Sequence, residues 1–185
     1  MFVFLFVLLL CFIIFLYRSY VFVVKARNQL DEALSGIDVQ LKKRADLVPN
    51  ILKTAQKFMT HEKEMFTEIT KLRTDVFQQS IGTAKRFDTE TKLQDSLKQF
   101  IMSVENYPQL KSSDAMINAM ETLNETEENI AASRRFYNSA LRQLNDKVKI
   151  FPYSLFKVYA GDVSGLSYFK ASEKEKNSID VNDYL

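Results

Sequence analysis

The chain has 185 residues and a formal net charge of +2, from 25 Lys and Arg against 23 Asp and Glu. A charge so close to zero disfavours a dedicated nucleic-acid binder, and 4 Gly and 3 Pro are too few for a turn-rich β-sandwich. One cysteine, Cys11, and one histidine, His61, exclude an intrachain disulfide and any metal site that needs two imidazoles. Composition therefore favours long helices and disfavours an enzyme.

Residues 1–24 predict a transmembrane anchor. Residues 2–17 contain neither a charge nor a helix breaker, and apolar character resumes at residues 20–24. With the Arg18 head extended to the interface, this segment matches the ~20 residues of a membrane span. A cleaved signal peptide and a buried core helix are the alternatives, but no positive region precedes the segment and no Ala-x-Ala-like site follows it. The residues expected to mark the anchor are Phe2, Phe6, Leu10, Ile14, Tyr17 and Arg18.

The distribution of basic residues predicts the orientation of this anchor. No basic side chain precedes it, whereas Arg18, Lys25 and Arg27 follow it. The positive-inside rule then places the rest of the chain in the cytoplasm and the N-terminus outside. We expect a single-pass protein of the cell (inner) membrane.

Apolar spacing predicts a helix that continues from the anchor into a bundle. Steps near three and four define its seam, which comprises Val23, Leu30, Leu34, Ile37, Leu41 and Val48. Pro49 predicts a kink or break over residues 46–49, with a short helix over residues 50–59. Thr60 is the expected cap of a helix that ends near Gln79.

Two further helices follow in the sequence. Asp88 or Thr89 is the expected cap of a helix that ends at residues 106–108, and Ser113 is the expected cap of a last helix that reaches about Lys149. The seam of the last helix comprises Met116, Met120, Leu123, Glu127, Ile130, Arg134, Tyr137, Leu141, Leu144 and Val148.

The predicted fold is therefore all-α. An N-terminal transmembrane helix over residues 1–24 leads into a long antiparallel bundle over residues 25–170, of the four-helix type with coiled-coil-like seams. After Pro152 we expect an aromatic, short-helical segment that packs on the bundle or on the membrane face. Residues 171–185 are charged and polar, which predicts a mobile tail.

Glu127 and Arg134 are the charged members of the last seam, and burying them without partners would cost several kcal/mol. If the first and last helices are antiparallel, with Val24 level with Val148, Glu127 meets Arg44 and Arg134 meets Asp38. Our hypothesis is that these pairs fix the helix register, as polar residues can in coiled-coil seams. The alternative is that both side chains are solvated at the edge of the seam.

The sequence predicts no catalytic residue, metal or cofactor. Asp38, Asp46, His61 and Glu62 carry ligand atoms, but no His lies three residues after a Glu, and the His61-Glu62 pair lacks the second His of a metalloprotease helix. A polar cluster at a helix end is the favoured interpretation. Residues 42–44 (KKR) form either a patch for acidic lipid or nucleic acid or a set of intramolecular or oligomer contacts. Their distance from the anchor disfavours lipid binding.

Motifs along most of the chain resemble those of the LemA family. They are residues 37–44 (IDVQLKKR), 46–50 (DLVPN), 61–62 (HE), 107–108 (YP), 128–130 (ENI) with Arg134, 137–138 (YN), 151–152 (FP) and 168–169 (YF). The resemblance implies an N-terminal membrane helix and an α-helical bundle. It implies no established catalytic activity.

Two functions are consistent with these features. The favoured one is a non-enzymatic, membrane-anchored scaffold for interaction or self-assembly, whose partners are the lipid bilayer and either a second copy or another membrane protein. We expect neither a nucleic acid nor a small-molecule substrate. The alternative is an adaptor or sensor in envelope stress signalling that regulates a separate membrane enzyme.

Overall fold

The computed structural model describes residues 1–169, and the predicted tail over residues 171–185 lies outside them. The regular structure of the described part is helical throughout, which confirms the all-α prediction. The elements are α1 (Phe2–Ala55), α2 (Lys63–Phe77), α3 (Ala84–Val104), α4 (Pro108–Lys111), α5 (Asp114–Lys147) and a 3₁₀ helix (Tyr153–Ala160).

Helix α1 joins the apolar N-terminus to the bundle without interruption. It has 54 residues, or about 81 Å at ~1.5 Å per residue. Pro49 lies inside this helix, so a break there is wrong, and the separate short helix predicted over residues 50–59 is wrong as well, because α1 itself continues to Ala55. Pro49 removes one backbone donor, but Val48, Ile51 and Leu52 around it are buried in the core, and their packing holds the helix together.

Two predicted helix starts are also wrong. Helix α2 begins at Lys63, after Glu62 rather than after Thr60. Helix α3 begins at Ala84, where the Thr83 hydroxyl accepts a hydrogen bond from the Arg86 backbone N–H at 3.3 Å. Thr89 instead lies inside that helix.

Helices α1 and α5 pack along each other in antiparallel orientation. The Lys147 ammonium lies 4.9 Å from the Phe22 ring centroid, and Arg44 contacts Glu127 farther from the anchor. These contacts are separated by similar numbers of residues in both helices, as antiparallel packing requires. Ser113 directly precedes α5, as predicted.

Helices α2 and α3 form the second antiparallel pair. The Phe66 and Phe100 ring centroids are 6.2 Å apart near one end, and the Gln79 side-chain amide donates to the Thr89 hydroxyl at 3.1 Å near the other. Together with α1 and α5 they make an up-down-up-down bundle. The single turn of α4 connects α3 to α5.

The core divides into two apolar clusters along the bundle axis. The proximal core, on the side of the apolar N-terminal segment, contains Val23, Ala26, Leu30, Ala33, Ile37, Leu41, Phe87, Ile130, Tyr137, Ala140, Leu141, Leu144, Val148, Ala160 and Phe169. The distal core contains Val48, Ile51, Leu52, Ala55, Met59, Phe66, Ile69, Val76, Leu93, Leu97, Phe100, Val104, Leu110, Met116 and Leu123.

The chain beyond the 3₁₀ helix returns to the bundle and closes the proximal core. The Asn138 side chain exchanges two hydrogen bonds with the Phe169 backbone, at 2.9 and 3.0 Å. The Tyr137 hydroxyl donates to the Ser167 carbonyl at 3.1 Å. At Gly82 the backbone has φ +87°, and an added Cβ would lie 2.7 Å from Leu166 Cδ2, so both conformation and space favour glycine there.

Candidate functional site

A layer of charged side chains crosses the bundle between the two cores. Arg44 of α1, Glu90 of α3 and Glu127 of α5 each stand where the apolar seam of their helix passes from one core to the other. The Arg44 and Glu90 side chains are 0% and 1% exposed, and that of Glu127 is 24% exposed. The layer is therefore internal and reaches solvent at Glu127.

Arg44 is the centre of this layer. Its Nη1 donates to Glu127 Oε1 at 3.0 Å. Its Nη2 donates to the Glu90 carboxylate and lies 3.4 Å from the Glu90 backbone carbonyl oxygen. One guanidinium thus joins α1 to both α3 and α5, a geometry that Arg allows because its donors point in fixed directions.

Arg86 extends the layer along α3. Its Nε donates to Glu90 Oε1 at 3.0 Å, and its Nη1 donates to the Gln79 carbonyl at 3.0 Å. Its Nη2 lies 3.5 Å from Asp38 Oδ1 on α1. Both Glu90 oxygens therefore accept from arginines, as a buried carboxylate requires.

The two positive charges of Arg44 and Arg86 are balanced by the two negative charges of Glu90 and Glu127. The more exposed Asp38 adds a further negative charge at the rim. Replacing a whole buried ionic set by apolar residues is often neutral for stability, whereas removing one member costs about 3–5 kcal/mol. We therefore expect the layer to act chiefly on which helix faces meet, because any slip of one helix would leave a buried charge without its partner.

The structure brings together one of the two pairs expected from the sequence. Arg44 and Glu127 are in contact, whereas the expected contact between Arg134 and Asp38 is wrong: Asp38 contacts Arg86. Arg134 Nη1 donates to Gln94 Oε1 at 3.0 Å, and its guanidinium lies 4.9 Å from the centroid of the Phe169 ring. The expected pairs were derived from α1 and α5 only. Helix α3 lies close to both and supplies Arg86 and Gln94 as the partners of Asp38 and Arg134.

Sequence reasoning missed Arg86 and Glu90. The signal was present, because steps of three and four backward from Leu97 and Leu93 reach Glu90 and then Arg86. Because the predicted start of this helix is Asp88 or Thr89, Arg86 lay outside the predicted helix and was not assigned to its seam.

The basic triplet does not form one continuous surface. Arg44 is enclosed in the core, and Lys43 Nζ lies 4.0 Å from Glu125 Oε1 on α5. These contacts of Lys43 and Arg44 are intramolecular, one of the alternatives considered for residues 42–44. Lys42 and Lys43 are both exposed.

Glu62, which directly precedes α2, makes a polar contact at the start of that helix. The Tyr107 hydroxyl donates to Glu62 Oε1 at 3.3 Å. Desolvation, and then the negative charge of Glu62, raises the pKa of Tyr107. Within residues 1–169, no group of three or more His, Cys, Asp or Glu gathers as metal ligands would.

The N-terminal part of α1 projects from the bundle. Phe2, Phe6, Leu10, Ile14 and Tyr17 are all exposed. The most apolar 18-residue window has a mean hydropathy of 2.6 and is only 6% buried, so this helix is long and apolar enough to span a membrane. An apolar surface of this extent is typical of contact with lipid or protein rather than water.

Fold and exposed helix together define a class of protein, a four-helix bundle carried on an N-terminal helix suited to a membrane. Residues 33–182 match the profile of the LemA family. Protein LemA of Metamycoplasma hominis is 25% identical over 162 residues, which cover 86% of this chain and 73% of that protein. The chain belongs to the LemA family.

Proposed function

We propose that this protein is a non-enzymatic, single-pass membrane scaffold that assembles with further copies of itself through its bundle. The proposal rests on the continuity of α1, because the exposed apolar segment and a central seam of the bundle belong to this one helix. A bundle attached in this way has a defined position relative to the bilayer. Such an arrangement suits a protein that presents surfaces to partners in the membrane plane.

The internal charge layer supports the same proposal. It ties α1 to α3 and α5 through Arg44, so the bundle surface keeps one arrangement relative to the anchor. A net charge of +2 on 185 residues gives little repulsion between copies. Anchoring also confines copies to one plane, which raises their effective concentration.

The orientation we propose is an N-terminus outside and a bundle in the cytoplasm of a cell with an inner membrane. The motivation is the cluster of Arg18, Lys25 and Arg27 on the bundle side of the apolar segment. A Val39→Cys variant in a Cys11→Ser background tests this, since Val39 is 63% exposed on the bundle. A membrane-impermeant maleimide should label it only after the membrane is opened; labelling of intact cells would reverse the orientation.

Self-assembly is tested with the full-length chain. Light scattering in detergent, corrected for bound detergent, gives the number of chains per particle, and amine crosslinking in native membranes checks that number before extraction. A defined multiple of the 21.5 kDa chain in both measurements is expected. A single chain in both would contradict the scaffold and favour the adaptor that regulates a separate membrane enzyme.

A further inference from the structure

The chain after α5 carries a group of exposed apolar side chains at one end of the bundle. This membrane-proximal patch consists of Ile150, Phe151, Leu155, Val158 and Tyr159, of which Val158 is the most exposed at 87%. Five large apolar side chains within ten residues are more than the scattered singles of an ordinary soluble surface.

The patch is held beside the segment of α1 that leaves the anchor. Tyr20 makes edge-to-face ring contacts with Tyr159 at 4.9 Å and with Phe156 at 5.9 Å between centroids. Farther along α1, Arg27 Nη1 donates to the Ala160 carbonyl at 3.1 Å. The 3₁₀ helix is therefore fixed at the level of residues 20–27.

The length of the exposed segment sets the depth of this level. Residues 2–17 cover roughly 24 Å at ~1.5 Å per residue, which is short of the ~30 Å hydrocarbon core and its ~20-residue span. A full span counted from Phe2 reaches Val21. Tyr20, and with it Tyr159, then lies at the boundary between hydrocarbon and headgroups, where tyrosine is favoured.

The charges around the patch also suit a headgroup layer. Lys149 and Lys157 are exposed on the same segment, and Arg18 and Lys25 are exposed on the neighbouring part of α1. Apolar and aromatic side chains flanked by Lys and Arg are the composition of segments that lie in a membrane interface.

We propose that the membrane-proximal patch inserts into the interfacial layer of the same bilayer that holds α1, and so gives the bundle a second, peripheral contact with lipid. The occupant is lipid rather than a second copy because Tyr159 of the patch packs on Tyr20, three residues beyond the exposed apolar segment of α1 that ends at Tyr17. This contact fixes the tilt of the bundle, which a single helix would leave free to vary. The inference rests on the anchor of the proposed function.

The test measures lipid contact at three sites of the full-length chain. In a Cys11→Ser background, an environment-sensitive NBD fluorophore is attached at Val158→Cys, Val39→Cys or Leu10→Cys, all at exposed positions. Each protein is reconstituted into phosphatidylcholine and phosphatidylglycerol vesicles with or without lipids spin-labelled near the headgroup. Melting curves check that each variant folds.

We expect quenching at Val158 to be several-fold greater than at Val39, which serves as the water-exposed control on the bundle. If quenching at Val158 equals that at Val39 while Leu10 is shielded in the hydrocarbon, the lipid contact of the patch is refuted and the anchor of the proposed function is not. A Leu10 fluorophore in water would overturn the anchor itself. A blue-shifted Val158 fluorophore that spin-labelled lipid does not quench would assign the patch to a second copy and contradict a lipid contact.

A paired variant gives an independent check. Leu155→Glu with Val158→Glu adds charge at exposed positions, where folding should not suffer. A fluorophore at Phe151→Cys should then lose its quenching and approach the Val39 value. Unchanged quenching at Phe151 would mean that the apolar side chains do not hold the segment in the interface.

Discussion

Glu90→Gln tests the charge layer with almost no change in side-chain volume. The substitution leaves Arg44 and Arg86 in the core, where Arg44 is 0% exposed, with one fewer negative charge. Two charge-assisted hydrogen bonds of about 1.5–3 kcal/mol each become weaker neutral ones or are lost. Breaking a buried ionic set in this way costs about 3–5 kcal/mol.

For a chain of this length about 1 kcal/mol corresponds to roughly 2–4 °C in Tm, so Glu90→Gln should lower Tm by about 6–20 °C. The assay is far-ultraviolet circular dichroism of the full-length chain in detergent micelles. The matched control is Glu127→Gln, whose side chain makes one contact with Arg44 and is 24% exposed; its cost should stay near 0.5–1.5 kcal/mol. Equal losses for the two variants would refute the argument that burial decides the cost.

Three further outcomes follow from named contacts. A double-mutant cycle on Arg44→Ala and Glu127→Ala should give a coupling energy above about 0.5 kcal/mol in urea unfolding, and additive effects would contradict a role in register. Leu123→Ala and Leu141→Ala should each cost about 2–5 kcal/mol because both side chains are buried; unchanged unfolding midpoints would mean that the seam is misassigned. Burial, and to a smaller extent the electrostatic effect of Tyr168, raises the pKa of Tyr137 to about 12 from 10.0, so the unfolded chain loses this proton at lower pH than the folded chain. The contribution of Tyr137 to the free energy of unfolding is therefore complete below pH 10 and decreases by about 1.4 kcal/mol per pH unit up to about pH 12. Tyr137→Phe should lack this part of the decrease, and equal slopes of unfolding free energy against pH for the two proteins would contradict it.

The apolar seams of α1 and α5 were predictable because helical spacing is a local property of the sequence. Val23 to Val48 and Met116 to Val148 occupy the faces that the steps of three and four assign them, and most of their apolar members are buried. The pair of Arg44 and Glu127 was predictable once the two seams were taken to be antiparallel. Placing Val24 level with Val148 gives the register in which these two side chains meet.

The contacts made by α3 were not predictable from two seams. Asp38 and Arg134 lie near the same level of α1 and α5, but Arg86 and Gln94 reach them from a third helix. Which of several nearby opposite charges or amides pairs with a given side chain depends on interhelical geometry, and spacing along one helix does not contain that information.

The predicted helix boundaries were wrong where local sequence signals compete with tertiary packing. Thr83 and Thr89 are both suitable caps, and only tertiary contacts decide between them. Pro49 disfavours a helix by about 3 kcal/mol, an amount that the burial of one or two neighbouring aliphatic side chains offsets at about 1.5–3 kcal/mol each. A breaker residue inside a well-packed seam is therefore weak grounds for predicting a break.

We infer that one continuous helix carries the bundle on a membrane. Electron paramagnetic resonance with nitroxides at Leu10→Cys and Val39→Cys, in a Cys11→Ser background and in lipid vesicles, tests this claim. The two positions are about 43 Å apart along α1 at ~1.5 Å per residue. We expect the Leu10 nitroxide to be accessible to oxygen and shielded from a water-soluble nickel reagent, and the Val39 nitroxide to show the reverse. Equal accessibility of both nitroxides to the nickel reagent would contradict the claim.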